Sequence, residues 1–185
     1  MNEALQNVLS RRSIRAFTEQ EIPHETLALI AEAANQAPSA MNRQLNQYTV
    51  VTDRAKIEKL AAAMRKALGK ADYNFYKPAA LILCTAPRSS RLGVDDCACA
   101  MENIFLAAHA LGIGSVWINQ VRDVCDTPEV RAVLTEFGVP ADHISHGTAA
   151  LGYAAAPAAP MHKLAPHKSF KHLSLTPAVI NKVIH

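Results

Sequence analysis

The fold is constrained most strongly by residues 94–118, which read VDDCACAMENIFLAAHALGIGSVWI. Apolar residues recur there at helical spacing, and alanines widen the apolar stripe around much of the helix. This pattern predicts a helix from about residue 94 to about residue 111 that is buried on several sides. Gly112 fits the position just after a helix, where a left-handed backbone is common. The apolar run 113–118 then predicts a strand, so the stretch supplies a core helix and a strand in succession.

Shorter patterns on both sides of this centre alternate between helix and strand. Helical spacing of apolar residues, with capping residues at the ends, predicts helices over 2–9, 23–36, 53–69 and 127–138. Short apolar or β-branched runs predict strands over 48–52, 79–84 and 147–153. Four strands alternating with helices favour a three-layer α/β fold, and they leave the order of the strands open.

The composition changes after the last predicted strand. Residues 154–166 are rich in proline and alanine, which is typical of an extended chain with little core of its own. A free tail is one interpretation. Phe170, Leu173 and Ile180 would then be exposed to water, so we instead expect an arm that lies on a surface, such as that of a partner subunit. The predicted organisation is therefore one domain, 1–153, followed by an arm, 154–185.

The charge and hydropathy of the chain argue against two classes of partner. The net charge is only +3, and the basic residues form no long stripe with interleaved aromatics, so nucleic-acid binding is not predicted. No apolar run approaches the roughly 18 residues needed to span a membrane. The first ten residues lack the basic and apolar regions of an export signal, so we expect a cytoplasmic protein.

Metal and disulfide chemistry are not predicted either. The four cysteines are expected to be free thiols, because the chain is large enough to fold without disulfides. Cys97 and Cys99 lie two residues apart in a predicted helix, so they point to different faces and cannot jointly hold a metal. Histidines recur every five residues in the arm without a carboxylate or cysteine nearby, and surface positions are expected for them. These are His162, His167 and His172.

A basic segment, 11–15, is the first candidate binding site. Arg11, Arg12 and Arg15 follow a short predicted helix, so their side chains can converge on one compact anion. The planar guanidinium suits a phosphate or the carbonyl edge of a heterocycle, and Ser13 adds a hydroxyl donor. A solvated basic turn is the alternative. His109, in the predicted central helix, is expected to be a packed and hydrogen-bonded side chain rather than a catalytic acid.

The loop 37–44, which reads APSAMNRQ, is the second candidate site. Small residues allow a backbone to approach a flat ring closely, and Asn42 and Gln44 offer paired donors and acceptors. Taken alone, the segment is better explained as an ordinary surface loop.

Together these segments resemble the nitroreductase family. Residues 11–17, RRSIRAF, look like its amino-terminal flavin motif, and 37–44 resemble its Ala-Pro-Ser-x-x-Asn-x-Gln loop. Residues 96–112 resemble its central helix, Trp117 and Ile118 follow on the next strand, and 150–153 are similar to its last core strand. The motifs occur in the family's order over roughly residues 3–168.

The resemblance implies an α/β fold with a central mixed sheet flanked by helices, and a homodimer that exchanges its carboxy-terminal arms. FMN would be held at the dimer interface, and NADH or NADPH would supply hydride for nitroaromatic, quinone or similar acceptors by a ping-pong mechanism. Relatives of this shape also include dehydrogenases and dehalogenases. A redox-sensing or flavin-binding module without steady turnover is the alternative function.

Carried over by position, the family motifs assign roles to individual residues. Arg11 would meet the FMN phosphate together with Lys163 of the arm, and Arg12 is a further cofactor-binding candidate. Ser13 and Arg15 would address the pyrimidine edge of the flavin, where a fixed cation stabilises the negative charge of the reduced ring.

Further positions would contact the flavin ring. Asn74 resembles the family's ring-contacting asparagine, although Asp72 is an alternative. The backbone N–H of Asn119 would face flavin N5, with Gln120 beside it. The second subunit would contribute four neighbouring residues, which are Pro38, Ser39, Ala40 and Asn42.

Overall fold

The computed structural model describes residues 2–157, whose centre is a sheet of four strands. The elements in chain order are α1 (Glu3–Ser10), α2 (His24–Asn35), β1 (Gln47–Val51), α3 (Arg54–Leu68), β2 (Ala80–Pro87), α4 (Gly93–Ala110), β3 (Gly114–Ile118), α5 (Gln120–Val124), α6 (Pro128–Glu136) and β4 (His143–Gly152). Each predicted helix and strand is present. The helix α5 was not predicted, because five residues with a single buried side chain show no periodicity.

The strand order is β1-β2-β4-β3, and every pair of neighbouring strands is antiparallel. The prediction of a mixed sheet is therefore wrong for these four strands. Both β2 and β3 are antiparallel to β4, so they run parallel to each other, but β4 is inserted between them. Within residues 2–157, parallel pairing is confined to an isolated bridge between Ser13 and Ser115.

Apolar layers cover both faces of the sheet, as the three-layer prediction requires. Helices α2 and α4 pack on one face, where the core includes Leu27, Ile82 and Ile104. Helices α3, α5 and α6 pack on the other face, where the core includes Leu60 and Leu134. Burying each such side chain stabilises the fold by roughly 1.5–3 kcal/mol. The buried apolar residues of α4 lie on one broad face of the helix, whereas Cys99 and Leu111 are exposed, so the predicted burial on several sides is not seen within the described chain.

The segment after α1 is tied to the open edge of the sheet. The backbone N–H of Ile14 donates to the carbonyl of Ser115 over 2.9 Å, and that of Thr18 donates to the carbonyl of Tyr153 over 2.8 Å. The ring of Phe17 covers Gly152, where an added Cβ would lie 2.9 Å from the ring. These contacts hold the basic segment 11–15 alongside β3 and the end of β4.

In the part of the chain that the structure describes, no helix combines the length and apolar character needed to cross a membrane. Nor does this part hold a group of three or more side chains suited to binding a metal. All four cysteines are free thiols, and burial raises the pKa of Cys97 to about 12, which keeps that thiol protonated. The histidines predicted for the surface of the arm lie outside the described residues.

A bulge in β4 buries a histidine. Cys84 pairs with Gly147 and Thr85 with Ser145, so His146 is the extra residue between them. Its side chain is buried, and neither ring nitrogen has a hydrogen-bond partner among residues 2–157. Burial lowers the pKa of His146, and the nearby positive charge of Arg122 and the ring of His143 lower it further.

The protein is expected to lose stability on mild acidification, partly through His146. The unfolded chain binds a proton on this residue at a higher pH than the folded chain does, so stability present above the ordinary histidine pKa of about 6.5 is lost as the pH falls below it. Chemical denaturation at pH 7.5 and 5.5 should show a smaller loss of unfolding free energy for His146→Gln than for the wild type. The control is His24→Gln at an exposed position, which should lose as much unfolding free energy as the wild type. Equal losses for His146→Gln and the wild type would contradict the expectation.

Candidate functional site

A pocket of about 260 Å³ lies where the end of α1, the end of α4 and the start of β3 meet. Arg11, Arg12 and His109 line it, together with Ile14, residues 112–115 and residues of the chain that follows β4. The volume is below the roughly 300–1,000 Å³ of cavities that enclose a whole small ligand, so the pocket suits one end of a larger ligand. The side chains that line the pocket indicate which chemical group of such a ligand it would bind.

The described lining of this pocket contains basic side chains and no acidic ones. The guanidinium of Arg11 lies 5.6 Å from the ring centre of Phe105, and its Nε is 3.9 Å from the Glu102 carboxylate, outside normal hydrogen-bonding distance. Burial lowers the pKa of His109, and the charges of Arg11 and Arg12 lower it further. The local charge is therefore positive, and a compact anion such as a phosphate fits it.

The loop 37–44 is held by a buried carboxylate that the sequence analysis did not identify. The backbone N–H of Ala40 donates to Oδ1 of Asp96 over 2.9 Å, and Asp96 is only 6% exposed. Asp96 lies in the first turn of α4 beside the buried Cys97. The sequence did offer a signal for this role, since Asp96 lies next to the apolar stripe of a helix predicted to be buried. A buried carboxylate requires a hydrogen-bonding partner.

The same loop has an unusual backbone. Met41, Asn42 and Gln44 all have positive φ angles, between 50° and 53°, which residues other than glycine seldom adopt. The hydroxyl of Ser39 accepts from the backbone N–H of Gln44 over 3.1 Å, and the Gln44 side chain donates to Asn42 over 2.8 Å. Strained backbone held by specific bonds is a feature that binding loops often show.

A second strained segment contains the predicted ring-contacting residue. Phe75, Tyr76 and Lys77 have φ angles of 53°, 67° and 53° in succession, each at a cost of about 1–2 kcal/mol. The side-chain oxygen of Asn74 accepts from the backbone N–H of Tyr76 over 2.9 Å, which leaves its amide N–H groups for other partners. The alternative residue, Asp72, is exposed just before this turn.

Asn119 and Gln120 lie at the junction of β3 and α5. Asn119 caps the amino terminus of α5, and its carbonyl accepts from the N–H of Arg122 over 2.9 Å. The first backbone N–H groups of a helix have no acceptor within the helix, so this junction presents backbone donors. A backbone-mediated contact to a ligand is compatible with that geometry.

A single chain does not bring all the predicted site residues together. Asp96, which holds the loop 37–44, and His109, which lines the basic pocket, lie near opposite ends of α4. They are 13 residues apart, which corresponds to roughly 20 Å along the helix axis at about 1.5 Å per residue. Lys163 lies outside the described residues. His109 is hydrogen-bonded as predicted, at 2.8 Å from Ser10, but it is only half-buried and faces the pocket.

One protein family matches most of this chain. A model of the nitroreductase family matches residues 8–79 and 68–153. A protein of Archaeoglobus fulgidus, provisionally named an NADH dehydrogenase/NAD(P)H nitroreductase, is 37% identical over 83% of this chain and 86% of its own length. An NAD(P)H-linked FMN reductase of Bacillus subtilis is 33% identical over 66% of this chain and 56% of its own length. The crystal structure of an FMN-bound nitroreductase from Bacteroides fragilis matches with a TM-score of 0.85 at 36% identity, covering 94% of this chain and 100% of that chain.

Proposed function

The chain belongs to the nitroreductase family, and from that premise we propose that it is an FMN-dependent oxidoreductase that takes hydride from NADH or NADPH. Its relatives include NAD(P)H-linked reductases and an FMN-bound structure of the same fold. The observation that carries the proposal is the basic pocket beside β3, which fits the phosphate of FMN at the family's amino-terminal flavin motif.

Three basic residues are proposed to hold the phosphate. Arg11 and Arg12 line the pocket, and although Nη1 of Arg12 donates to the carbonyls of Leu9 and Arg11, the guanidinium groups retain further N–H donors that suit phosphate oxygens. The chain that follows β4 reaches Pro157 in the same lining, so Lys163, six residues further on, is close enough along the chain to join them. Ser13 and Arg15 are exposed beside β3 and would bind the pyrimidine edge of the flavin ring.

A second subunit is proposed to complete the site. The loop 37–44 and the basic pocket belong to opposite ends of α4, so Pro38, Ser39, Ala40 and Asn42 would contact FMN from the partner of a homodimer. The exposed apolar residues of α1 support an interface, because this helix buries none of its side chains within the described chain. These residues are Leu5, Val8 and Leu9.

The remaining residues would position the ring. The amide N–H groups of Asn74, which donate to no residue within 2–157, would donate to the ring. The backbone N–H of Asn119 would face N5, with Gln120 alongside. FMN, once bound, supplies the redox chemistry by accepting hydride and passing electrons on, so no protein nucleophile is required. The proposed acceptors are nitroaromatics, quinones or similar flat molecules, which would replace the nicotinamide and give ping-pong kinetics.

Anaerobic stopped-flow mixing with NADH and with NADPH tests this function directly. Rapid bleaching of the flavin absorbance by at least one nicotinamide, followed by steady turnover on a panel of acceptors, is the expected result. A holoprotein that no nicotinamide reduces would instead indicate a flavin-binding or redox-sensing module. A protein that remains colourless when FMN is added would overturn the proposal itself.

Two arginine variants should have different effects on the FMN affinity and on the reduction potential of the bound flavin. Arg11→Ala is expected to weaken FMN binding by about 1.5–3 kcal/mol, the range for a lost hydrogen bond to a charged group. Arg15→Ala should also lower the reduction potential, because it removes a positive charge beside the ring. Fluorescence titration and a redox titration measure the two effects, with Arg91→Ala, an exposed arginine elsewhere, as the control. Wild-type affinity and potential in both variants would show that the segment 11–15 is misassigned.

A further inference from the structure

His109 shares the basic pocket with the two arginines assigned to the phosphate. It lies in the last turn of α4, and its Nε2 is 2.8 Å from the hydroxyl of Ser10 at the end of α1. This contact fixes the ring at the junction from which Arg11 and Arg12 continue. The side chain is half-buried, so a ligand in the pocket can reach it.

We propose that His109 is an additional cationic contact for the FMN phosphate and takes up a proton when the phosphate binds. The proposal rests on the proposed function, since it assumes that this pocket holds the phosphate. It adds a regulatory property to the site, namely FMN affinity that increases as the pH falls through the histidine range.

The charges around His109 determine the direction of this effect. Arg11 and Arg12 face it from the segment after α1, and Glu102, on α4 itself, lies near Arg11. The other described lining residues, from β3 and from the chain that follows β4, are not titratable. Without a ligand the net field is positive, and together with burial it lowers the pKa of His109, so the ring is neutral at pH 7.

A bound phosphate offsets the positive field around His109. Its negative charge raises the pKa of His109, and the carbonyls at the end of α4 also favour a protonated ring. Proton uptake and phosphate binding then strengthen each other by the same factor. FMN affinity should rise below pH 7 by at least about fivefold, the lower end of the usual range for coupled sites.

The test measures FMN and riboflavin dissociation constants by flavin fluorescence from pH 5.5 to 8.5, using the full-length protein freed of flavin. His109→Gln should bind FMN at least about fivefold more weakly than the wild type near pH 6 and equally well at pH 8.5. Riboflavin, which lacks the phosphate, should bind both proteins equally at every pH. Comparing the two proteins removes the effect of the titration of the phosphate itself, and His24→Gln is the control for an exposed histidine.

Parallel pH profiles for the wild type and His109→Gln would overturn the inference while leaving FMN binding intact. If FMN does not bind at any pH in the tested range, both the proposed function and this inference are overturned. A second measurement does not depend on the variant. The NMR titration of the His109 ring should shift to higher pH when FMN is added and should not shift when riboflavin is added, and an unchanged titration with FMN would reject the proposal.

Discussion

Asp96→Ala is expected to destabilise the protein by about 1.5–3 kcal/mol and to weaken FMN binding at the same time. The carboxylate is buried and accepts from the backbone N–H of Ala40, which sits in the strained loop proposed to contact the flavin of the partner subunit. Removing the acceptor leaves that N–H without its bond and releases the positive-φ backbone at Met41 and Asn42. Urea denaturation and FMN titration measure the two losses.

Two controls distinguish this role from a general effect of charge on α4. Asp96→Asn keeps an oxygen that can accept from Ala40, so it should retain most of the FMN affinity. Asp95→Ala removes an exposed carboxylate from the same turn and should leave both properties unchanged. Wild-type FMN affinity in a folded Asp96→Ala protein would show that Asp96 stabilises the loop without shaping the site.

The parts of the fold with strong local signals were predictable. The helix α4 shows a wide apolar stripe, so its burial could be inferred from the spacing of apolar residues alone. The ends of α3 could be inferred from Asp53, whose side chain accepts from the backbone N–H groups of Ala55 and Lys56, and from Gly69, which adopts a φ of 64°. Such signals are local because each one depends on neighbours within a few residues.

Features that depend on distant contacts were not predictable from the pattern. Alternating helices and strands indicate the layers, but they do not reveal that β4 is inserted between β2 and β3 and makes the sheet antiparallel. Strand β4 begins at His143, ahead of the apolar run that predicted it, because its pairing with β2 continues beyond the bulge at His146. The bond between Asp96 and Ala40 joins residues 56 positions apart. Each of these features depends on contacts between residues that are far apart in the sequence.

In the candidate site, too, the local features were predictable from the sequence and the contacts between distant residues were not. The segments 11–15 and 37–44 are recognisable because arginine, serine and amide residues are concentrated in short stretches. The grouping of His109 with Arg11 and Arg12 was not recognisable, because it depends on α1 packing beside the end of α4. The distance along α4 between the two halves of the site is likewise a property of the folded chain, and it is the main structural argument for a second subunit.

Truncation after Pro157 is expected both to release FMN and to shift the proposed homodimer towards monomer. The truncated chain keeps the bond from the N–H of Ala155 to the carbonyl of Ala16, so the described fold retains its edge contacts. It loses the apolar residues of the arm, each of which would stabilise a dimer by roughly 1.5–3 kcal/mol when buried on the partner. A two-fold axis applies that loss twice.

Loss of the arm should affect both properties because the proposed site links them. If Lys163 holds the phosphate in a pocket completed by the partner, dimerisation and FMN binding strengthen each other by the same factor. Light scattering at micromolar concentration and the flavin absorbance of the purified protein measure the two losses. Lys163→Ala in the full-length chain separates the contributions, since it should weaken FMN binding and leave the apolar contacts of the arm in place. A truncated protein that stays dimeric and yellow would show that residues 158–185 are not required for either property.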